Sequence, residues 1–192
     1  MANQSVLINK NNQTGFKGEF NRTEVLILSV LVIFTVLTRF LPHIPNFSPV
    51  LGMALFCGAS TKNRKLAFLL PLIALFVSDW ALGFYGGIGF VYLSYVIAIS
   101  LGMMMSKIRV VNVLVSAMAV SLVFFVLSNL GVWLFSGLYA PNSAGFVQCY
   151  IMALPFFHYT YLGTIVGAGV LFAARALLLK GHSVFKESLF KA

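Results

Sequence analysis

The sequence predicts an all-α integral membrane protein, a six-helix bundle with a short second helix and both termini in the cytosol. Its composition, its six apolar runs and the placement of its positive charges lead to this prediction. Of the 192 residues, 60% are hydrophobic and only 9% are charged, and the mean hydropathy is +0.96. Soluble domains carry roughly 25% charged residues, so we expect lipid to surround most of this chain.

The apolar runs set the predicted domain boundaries. We expect residues 1–22, which are polar and rich in Asn, to form a disordered cytosolic tail with no signal peptide, followed by a membrane anchor that is retained. A six-helix membrane domain then covers residues 23–180, and a basic cytosolic tail covers residues 181–192. The runs themselves are 24–41, 47–61, 66–82, 88–106, 110–135 and 156–179.

The second run is too short for an ordinary membrane span. A span needs roughly 20 residues, whereas residues 47–61 would reach only about 22 Å as a helix. This run either crosses as a short, partly unwound helix shielded by its neighbours, or it enters the membrane and returns. The prolines in "LPHIPNFSPV" exclude a regular helix in the loop before it. That stiff loop forms either a wall of a site or a tight connection.

The positions of Lys and Arg favour a full crossing. If all six runs cross and the N-terminus is inside, all thirteen basic residues except Arg39 lie at or near the cytosolic side. A re-entrant second run would instead place the "KNRK" loop outside. Cytosolic loops are enriched in Lys and Arg, so the sequence predicts six crossings. The net charge of +9 then reflects orientation in the membrane, and we expect no nucleic-acid partner.

Strongly polar side chains within the apolar runs concentrate toward the outer side. Arg39 and Asp79 lie about 22 Å and about 21 Å from the cytosolic starts of their helices. Ionisable groups in a membrane cost at least about 2.5 kcal/mol each and often mark functional sites. The two residues form either a structural pair or a ligand site, in which Arg39 binds a carboxylate or phosphate and Asp79 binds an amine or ring NH. The other candidate ligand-binding residues are His43, Asn46, Trp80, Asn129, Trp133 and His158.

Small residues predict close helix packing at two places. Gly163 and Gly167 have GxxxG spacing, and Ala54 and Gly58 repeat it in the second run. Their partner is either another helix of this chain or another subunit.

Motifs for catalysis are absent from the sequence. It contains no HExxH, GxSxG, CxxC or Walker loop, and Cys57 and Cys149 do not have metal-ligand spacing. We therefore expect no enzyme activity, no metal and no cofactor. Active transport would require a partner ATPase or an ion gradient.

Four segments carry a family resemblance. "RFLPHIPNFSPVLGMALFCGA", "LPLIALFVSDWALG", "SLVFFVLSNLGVWL" and "YAPNSAGFVQCYIMALPFFHYTYLG" together resemble a bacterial membrane family described only as transport proteins. Its biochemistry is undefined, so the resemblance assigns no catalytic or ligand residue. It implies a multi-pass protein of the bacterial inner membrane.

In layout, the chain also resembles the substrate-binding (S) components of energy-coupling factor transporters. That resemblance implies a vitamin-like ligand bound near the outer face, a transmembrane coupling protein and two ABC-type ATPases as partners. Many S components carry alanines at AxxxA spacing in the first helix, which "EVLILSVLVIFTVLTRF" lacks. The expected function is a substrate-binding subunit of an ATP-driven micronutrient importer. The alternatives are a self-sufficient small carrier or channel, and a non-catalytic structural membrane subunit.

Overall fold

The structure, a computed structural model, describes residues 22–41, 46–61, 63–105 and 107–189. Within these residues it contains six α-helices and no strand. The predicted tail before Arg22, and His43, lie outside the described residues. The helices are α1 (Arg22–Leu37), α2 (Val50–Ser60), α3 (Arg64–Leu82), α4 (Ile88–Met104), α5 (Val110–Phe135) and α6 (Ser143–Leu189).

Helix length divides these elements into two groups. α3, α5 and the part of α6 from Ser143 to Leu178 are long and apolar enough to cross a membrane. α1, α2 and α4 are apolar but shorter. The 11 residues of α2 reach about 16 Å, roughly half of the ~30 Å hydrocarbon core. The described residues thus confirm an all-helical chain with three segments of membrane-spanning length.

The last helix differs from its predicted bounds. It begins at Ser143 and runs to Leu189, whereas the sequence predicted an apolar run over 156–179. Asn142 caps its start, because the Asn142 side chain accepts a hydrogen bond from the Gly145 amide at 2.9 Å. Pro155, which precedes the predicted run, lies inside the helix. Membrane helices tolerate such a proline because neighbouring groups satisfy the freed backbone.

Successive helices run in alternating directions. Arg39, just after α1, contacts Ser78 near the end of α3, so these two helices end at the same side of the bundle. Gly131, near the end of α5, packs on Gly87, which immediately precedes α4. We call the side where α1, α3 and α5 end the Arg39 end. The opposite side is the basic end, and its described cations include Arg64, Lys65, Lys107 and Arg109.

The short helix α2 forms the centre of the bundle. Every α2 residue except Ala59 is buried, and the helix packs mainly on α4 and α6. A Cβ added at Gly58 would lie 2.0 Å from the carbonyl oxygen of Ile99, and one at Gly102 would lie 2.3 Å from that of Leu55. The backbones of α2 and α4 therefore touch directly.

The same close approach joins α2 to α6. A Cβ at Gly163 would lie 2.7 Å from the Ser48 amide nitrogen, and one at Gly167 would lie 2.4 Å from the Pro49 carbonyl oxygen. These contacts answer the question that the sequence left open about the glycine-rich faces. Gly58, Gly163 and Gly167 pack against other parts of the same chain.

Candidate ligand-binding site

An ion pair joins the ends of α1 and α3. The Nη2 atom of Arg39 lies 2.6 Å from the Oδ1 atom of Asp79, and Nη1 of Arg39 donates a hydrogen bond to the Ser78 hydroxyl at 2.5 Å. The Ser78 hydroxyl in turn donates to the Leu75 carbonyl oxygen at 2.7 Å. The sequence placed Arg39 and Asp79 at similar depths, and the structure brings them into direct contact.

Local backbone geometry positions Arg39 for this contact. α1 is followed by a single 3-10 turn, Thr38–Phe40, that contains the arginine. The Thr38 hydroxyl donates to the Thr35 carbonyl oxygen at 2.6 Å and satisfies one acceptor near the helix end. The tighter turn places Arg39 beside the last turn of α3.

Asp79 is enclosed by protein donors. Its Oδ1 atom contacts Arg39, and its Oδ2 atom accepts a hydrogen bond from the Tyr92 hydroxyl at 2.8 Å. The side chain of Asp79 is only 3% exposed, whereas that of Arg39 is 20% exposed. This geometry does not support the expectation that Asp79 meets an amine of the ligand. Asp79 instead neutralises Arg39 and holds it in place.

Two adjoining cavities lie at the Arg39 end. The larger has a volume of about 350 Å³ and the smaller a volume of about 260 Å³. Ligand pockets typically occupy roughly 300–1,000 Å³, so the larger cavity alone is of adequate size. The two cavities adjoin each other, and five residues line both: Asn46, Tyr85, Val91, Phe124 and Thr160.

Arg39 lines the smaller cavity, and its side chain is 20% exposed. A guanidinium group has five N–H donors, of which the contacts to Asp79 and Ser78 account for two. The other N–H groups have no hydrogen-bond partner among the described residues. Asn46 lies nearby in the left-handed region, with a φ of 62°, which Asn tolerates better than most residues.

Tyr85 connects the two cavities. It lies in the loop between α3 and α4 and lines both of them. Partial burial and the negative charge of Asp79 raise the pKa of Tyr85, while Arg39 acts in the opposite direction. Tyr85 is therefore a neutral phenol at physiological pH. It lies close enough to the ion pair for both charges to affect its pKa.

Six aromatic side chains and several uncharged polar groups are part of the lining of the larger cavity. Asn129 lines it and donates from its side-chain nitrogen to the Phe125 carbonyl oxygen at 2.7 Å. The side-chain oxygen of Asn129 accepts no hydrogen bond from the described residues. The aromatic residues that line the cavity are Tyr85, Phe124, Phe125, Tyr139, Phe156 and Phe157.

Three of the residues predicted from the sequence lie away from these cavities. Trp80 is 73% exposed on the outside of α3. The Trp133 indole nitrogen donates to the Ala140 carbonyl oxygen at 3.1 Å, which stabilises the α5–α6 connection. His158 is exposed, with its ring centroid 3.9 Å from that of Tyr159. Because residues on a helix are offset by about 100°, neighbours of a site residue readily face lipid.

Several lining or supporting residues were missed by the sequence analysis. Ser78 adjoins Asp79, and this adjacency was a usable signal for a second hydroxyl ligand of Arg39. Tyr92 lies 13 residues after Asp79, on a helix that is apolar on all sides, and carries no comparable signal.

Among the described residues, no group of three or more His, Cys, Asp or Glu could hold a metal ion.

Comparison with known proteins identifies a family whose function is unknown. No curated protein and no solved structure is significantly similar to this chain. The resemblance to transport proteins remains a prediction. One family model matches residues 19–187, nearly all of the sequence. The chain therefore belongs to that family, a family of unknown function (DUF6580).

Proposed function

We propose that this protein is the membrane-embedded substrate-binding subunit of an ATP-driven micronutrient importer of the energy-coupling factor type. It binds a small polar or aromatic ligand near the outer face of the bacterial inner membrane. The observation that carries the proposal is the pair of adjoining cavities at the Arg39 end, with a buried ion pair at their edge.

The orientation follows from the charges at the two ends of the bundle. Arg64, Lys65, Lys107 and Arg109 lie at the basic end, opposite Arg39. By the positive-inside rule the basic end faces the cytosol. Six crossings in alternating directions then place both termini in the cytosol and open the cavities toward the outside.

The interior below the cavities favours binding over conduction. α2 occupies the centre of the bundle, and its buried residues are almost all apolar, including Met53, Leu55 and Phe56. A channel requires a polar or water-filled path through the membrane. The contact between α2, α4 and α6 supports a binding subunit with a closed floor rather than a pore.

A structural role is the second candidate, and one observation favours it. Arg39 and Asp79 neutralise each other, as they would in a subunit that binds nothing. A purely structural pair does not account for the adjoining cavities, or for the N–H groups of Arg39 that have no partner among the described residues. These two features give binding the stronger support.

The proposal requires partners that supply energy, because the sequence has no nucleotide-binding motif. A coupling protein would have to contact a lipid-facing surface. The first helix lacks AxxxA spacing, and Gly58, Gly163 and Gly167 are already packed inside the chain. Those three glycines are therefore not available for docking, whereas Gly169 on α6 is not closely packed.

Co-purification from native membranes tests the proposal. The tagged protein is extracted in mild detergent, and the proteins recovered with it are identified by mass spectrometry. The Arg39→Gln/Asp79→Asn double variant is the matched control, since it alters the cavity and leaves the outer surface intact. We expect both forms to recover a coupling membrane protein and ABC-type ATPases.

The contrary result is equally clear. Recovery of the protein alone, from cells that contain such a coupling module, would reject the importer subunit. A self-sufficient carrier or a structural subunit would then be the better account.

A further inference from the structure

We propose that the ligand is an acidic aromatic molecule, with an anionic carboxylate or phosphate group at Arg39 and a flat ring in the larger cavity. This inference rests on the ligand-binding part of the proposed function. It does not depend on which protein supplies the energy.

The charge of the residues that line the two cavities favours an anionic ligand. Among the described residues, Arg39 is the one charged side chain that lines either cavity. The nearest carboxylate, Asp79, is 3% exposed and has both oxygens bound by Arg39 and Tyr92. A ligand cation would therefore be desolvated without a counter-charge, which is unfavourable. The cavity selects against amines.

The geometry of Arg39 indicates the type of anion. The N–H groups of Arg39 that have no partner in the described part of the chain belong to a planar fork, which matches the paired oxygens of a carboxylate or phosphate. Asp79 and Ser78 fix this fork through Nη2 and Nη1, so little side-chain freedom is lost on binding. Charge-assisted hydrogen bonds are roughly twice as strong as neutral ones, so an acid should bind more tightly than its amide.

The aromatic side chains that line the larger cavity favour a ligand with an aromatic ring. Phe124, Phe125, Phe156 and Phe157 line it, and aromatic side chains favour edge-to-face or offset contacts with another ring. Phe125 and Phe157 already form such an edge-to-face pair, with centroids 5.5 Å apart. The side-chain oxygen of Asn129 accepts no bond from the described residues and is available to an N–H or O–H on the ring.

Because the two cavities adjoin each other, one molecule can extend across both. Tyr85, Phe124 and Thr160 line both the smaller cavity with Arg39 and the larger aromatic cavity. An acidic group and a ring joined by a short linker fit this arrangement. Two separate small ligands are not required.

Matched acids and amides test the inference. The melting temperature of the purified protein in detergent is measured with millimolar phenylacetate, phenylacetamide, phenyl phosphate or acetate. A molecule that binds only the folded state raises the melting temperature. We expect a rise of several degrees with phenylacetate or phenyl phosphate, and little change with phenylacetamide or acetate.

Variants assign the effect to Arg39. Trp80→Leu, on the outside of α3 and away from both cavities, should retain the full response to phenylacetate. Arg39→Gln/Asp79→Asn should lose that response while remaining folded, since no buried charge is left unpaired. If the Arg39–Asp79 pair had only a structural role, the two variants would show the same change in melting temperature with phenylacetate.

Three results would overturn the inference: an equal rise with phenylacetamide, a full response in the double variant, or no response to either aromatic acid. None of them depends on ATPase partners. Failure of the co-purification would reject the importer role and leave the preference for aromatic acids standing. A failed acid response with ATPases recovered would reject only the ligand class.

Discussion

The two ends of the bundle are packed in opposite ways. Toward the basic end, α2 is clamped between α4 and α6 so closely that Gly58 and Gly102 admit no Cβ. At the Arg39 end, the same bundle leaves two adjoining cavities of about 350 and 260 Å³. The same helices are thus closely packed toward the basic end and enclose cavities at the Arg39 end.

The length of α2 explains the difference. α2 begins at Val50, and the Ser48 backbone just before it lies beside Gly163 of α6. α6, however, begins at Ser143 and extends well beyond that level. Past the start of α2, the surrounding parts of α4, α5 and α6 have no central helix between them. A short central helix is therefore a means of building a cavity inside an otherwise apolar bundle.

Breaking the ion pair at the Arg39 end should have the largest effect on stability. Arg39→Leu leaves Asp79 buried and without its counter-charge, a change that typically costs about 3–5 kcal/mol. The expected result is a large drop in the thermal unfolding temperature in detergent.

The matched control for that change removes both charges. Arg39→Leu/Asp79→Leu should recover most of the lost stability, because no unpaired charge is left. If the single variant is as stable as the wild type, the buried ion pair is not formed in the protein.

The glycine contacts of α2 should produce the next largest effect. A Cβ at Gly167 would lie 2.4 Å from the Pro49 carbonyl oxygen, so Gly167→Ala should destabilise the protein by about 1–3 kcal/mol. Gly169→Ala, two residues along the same helix, meets nothing within 4 Å and is the control. Equal unfolding temperatures for the two variants would contradict the close packing of Gly167 against Pro49.

Removing the Tyr92 hydroxyl should have a smaller effect. Tyr92→Phe deletes one hydrogen bond to the Asp79 carboxylate and should cost about 1.5 kcal/mol, the low end for a charged acceptor. The Tyr95 hydroxyl has no hydrogen-bond partner among the described residues, so Tyr95→Phe serves as the comparison. Chemical denaturation in detergent would measure both. A greater loss for Tyr95→Phe would contradict the role of Tyr92.

A substitution on the lipid-facing side of α3 should have almost no effect. Trp80 is 73% exposed, so Trp80→Leu should change stability by no more than about 0.5 kcal/mol. The same variant should keep the full response of the melting temperature to phenylacetate. Loss of that response would return Trp80 to the ligand site that the sequence suggested.

The sequence predicted the parts of this fold that depend on composition and charge. The apolar runs located all six helices. The similar depths of Arg39 and Asp79 made an ion pair one of two alternatives, and the structure shows their contact. The start of α6 was missed, because the predicted run covers 156–179 whereas the helix begins at Ser143. Small-residue spacing located the packing faces, but only the structure identified their partners.

Helix rotation explains most of what the sequence did not reveal about the site. α4 and α5 are apolar on nearly all faces, so their sequences do not indicate which side faces the cavity. Tyr92 and Ser128 were missed for this reason, and Trp80 and Trp133 were selected instead. Arg39 and Asn129, which line the cavities, could be selected because a strong polar group in an apolar run is conspicuous on any face.

The most direct test of the account is the accessibility of the larger cavity from outside the cell. Ser128, which lines it, is replaced by Cys in a Cys57→Ala/Cys149→Ala background, and spheroplasts are treated with a membrane-impermeant thiol reagent. Thr61→Cys, at the basic end, is the matched control. The account predicts that Cys at position 128 reacts in intact spheroplasts and that Cys at position 61 reacts only after permeabilisation. A position 128 that stays unreactive from outside, or reacts only from within, would contradict it.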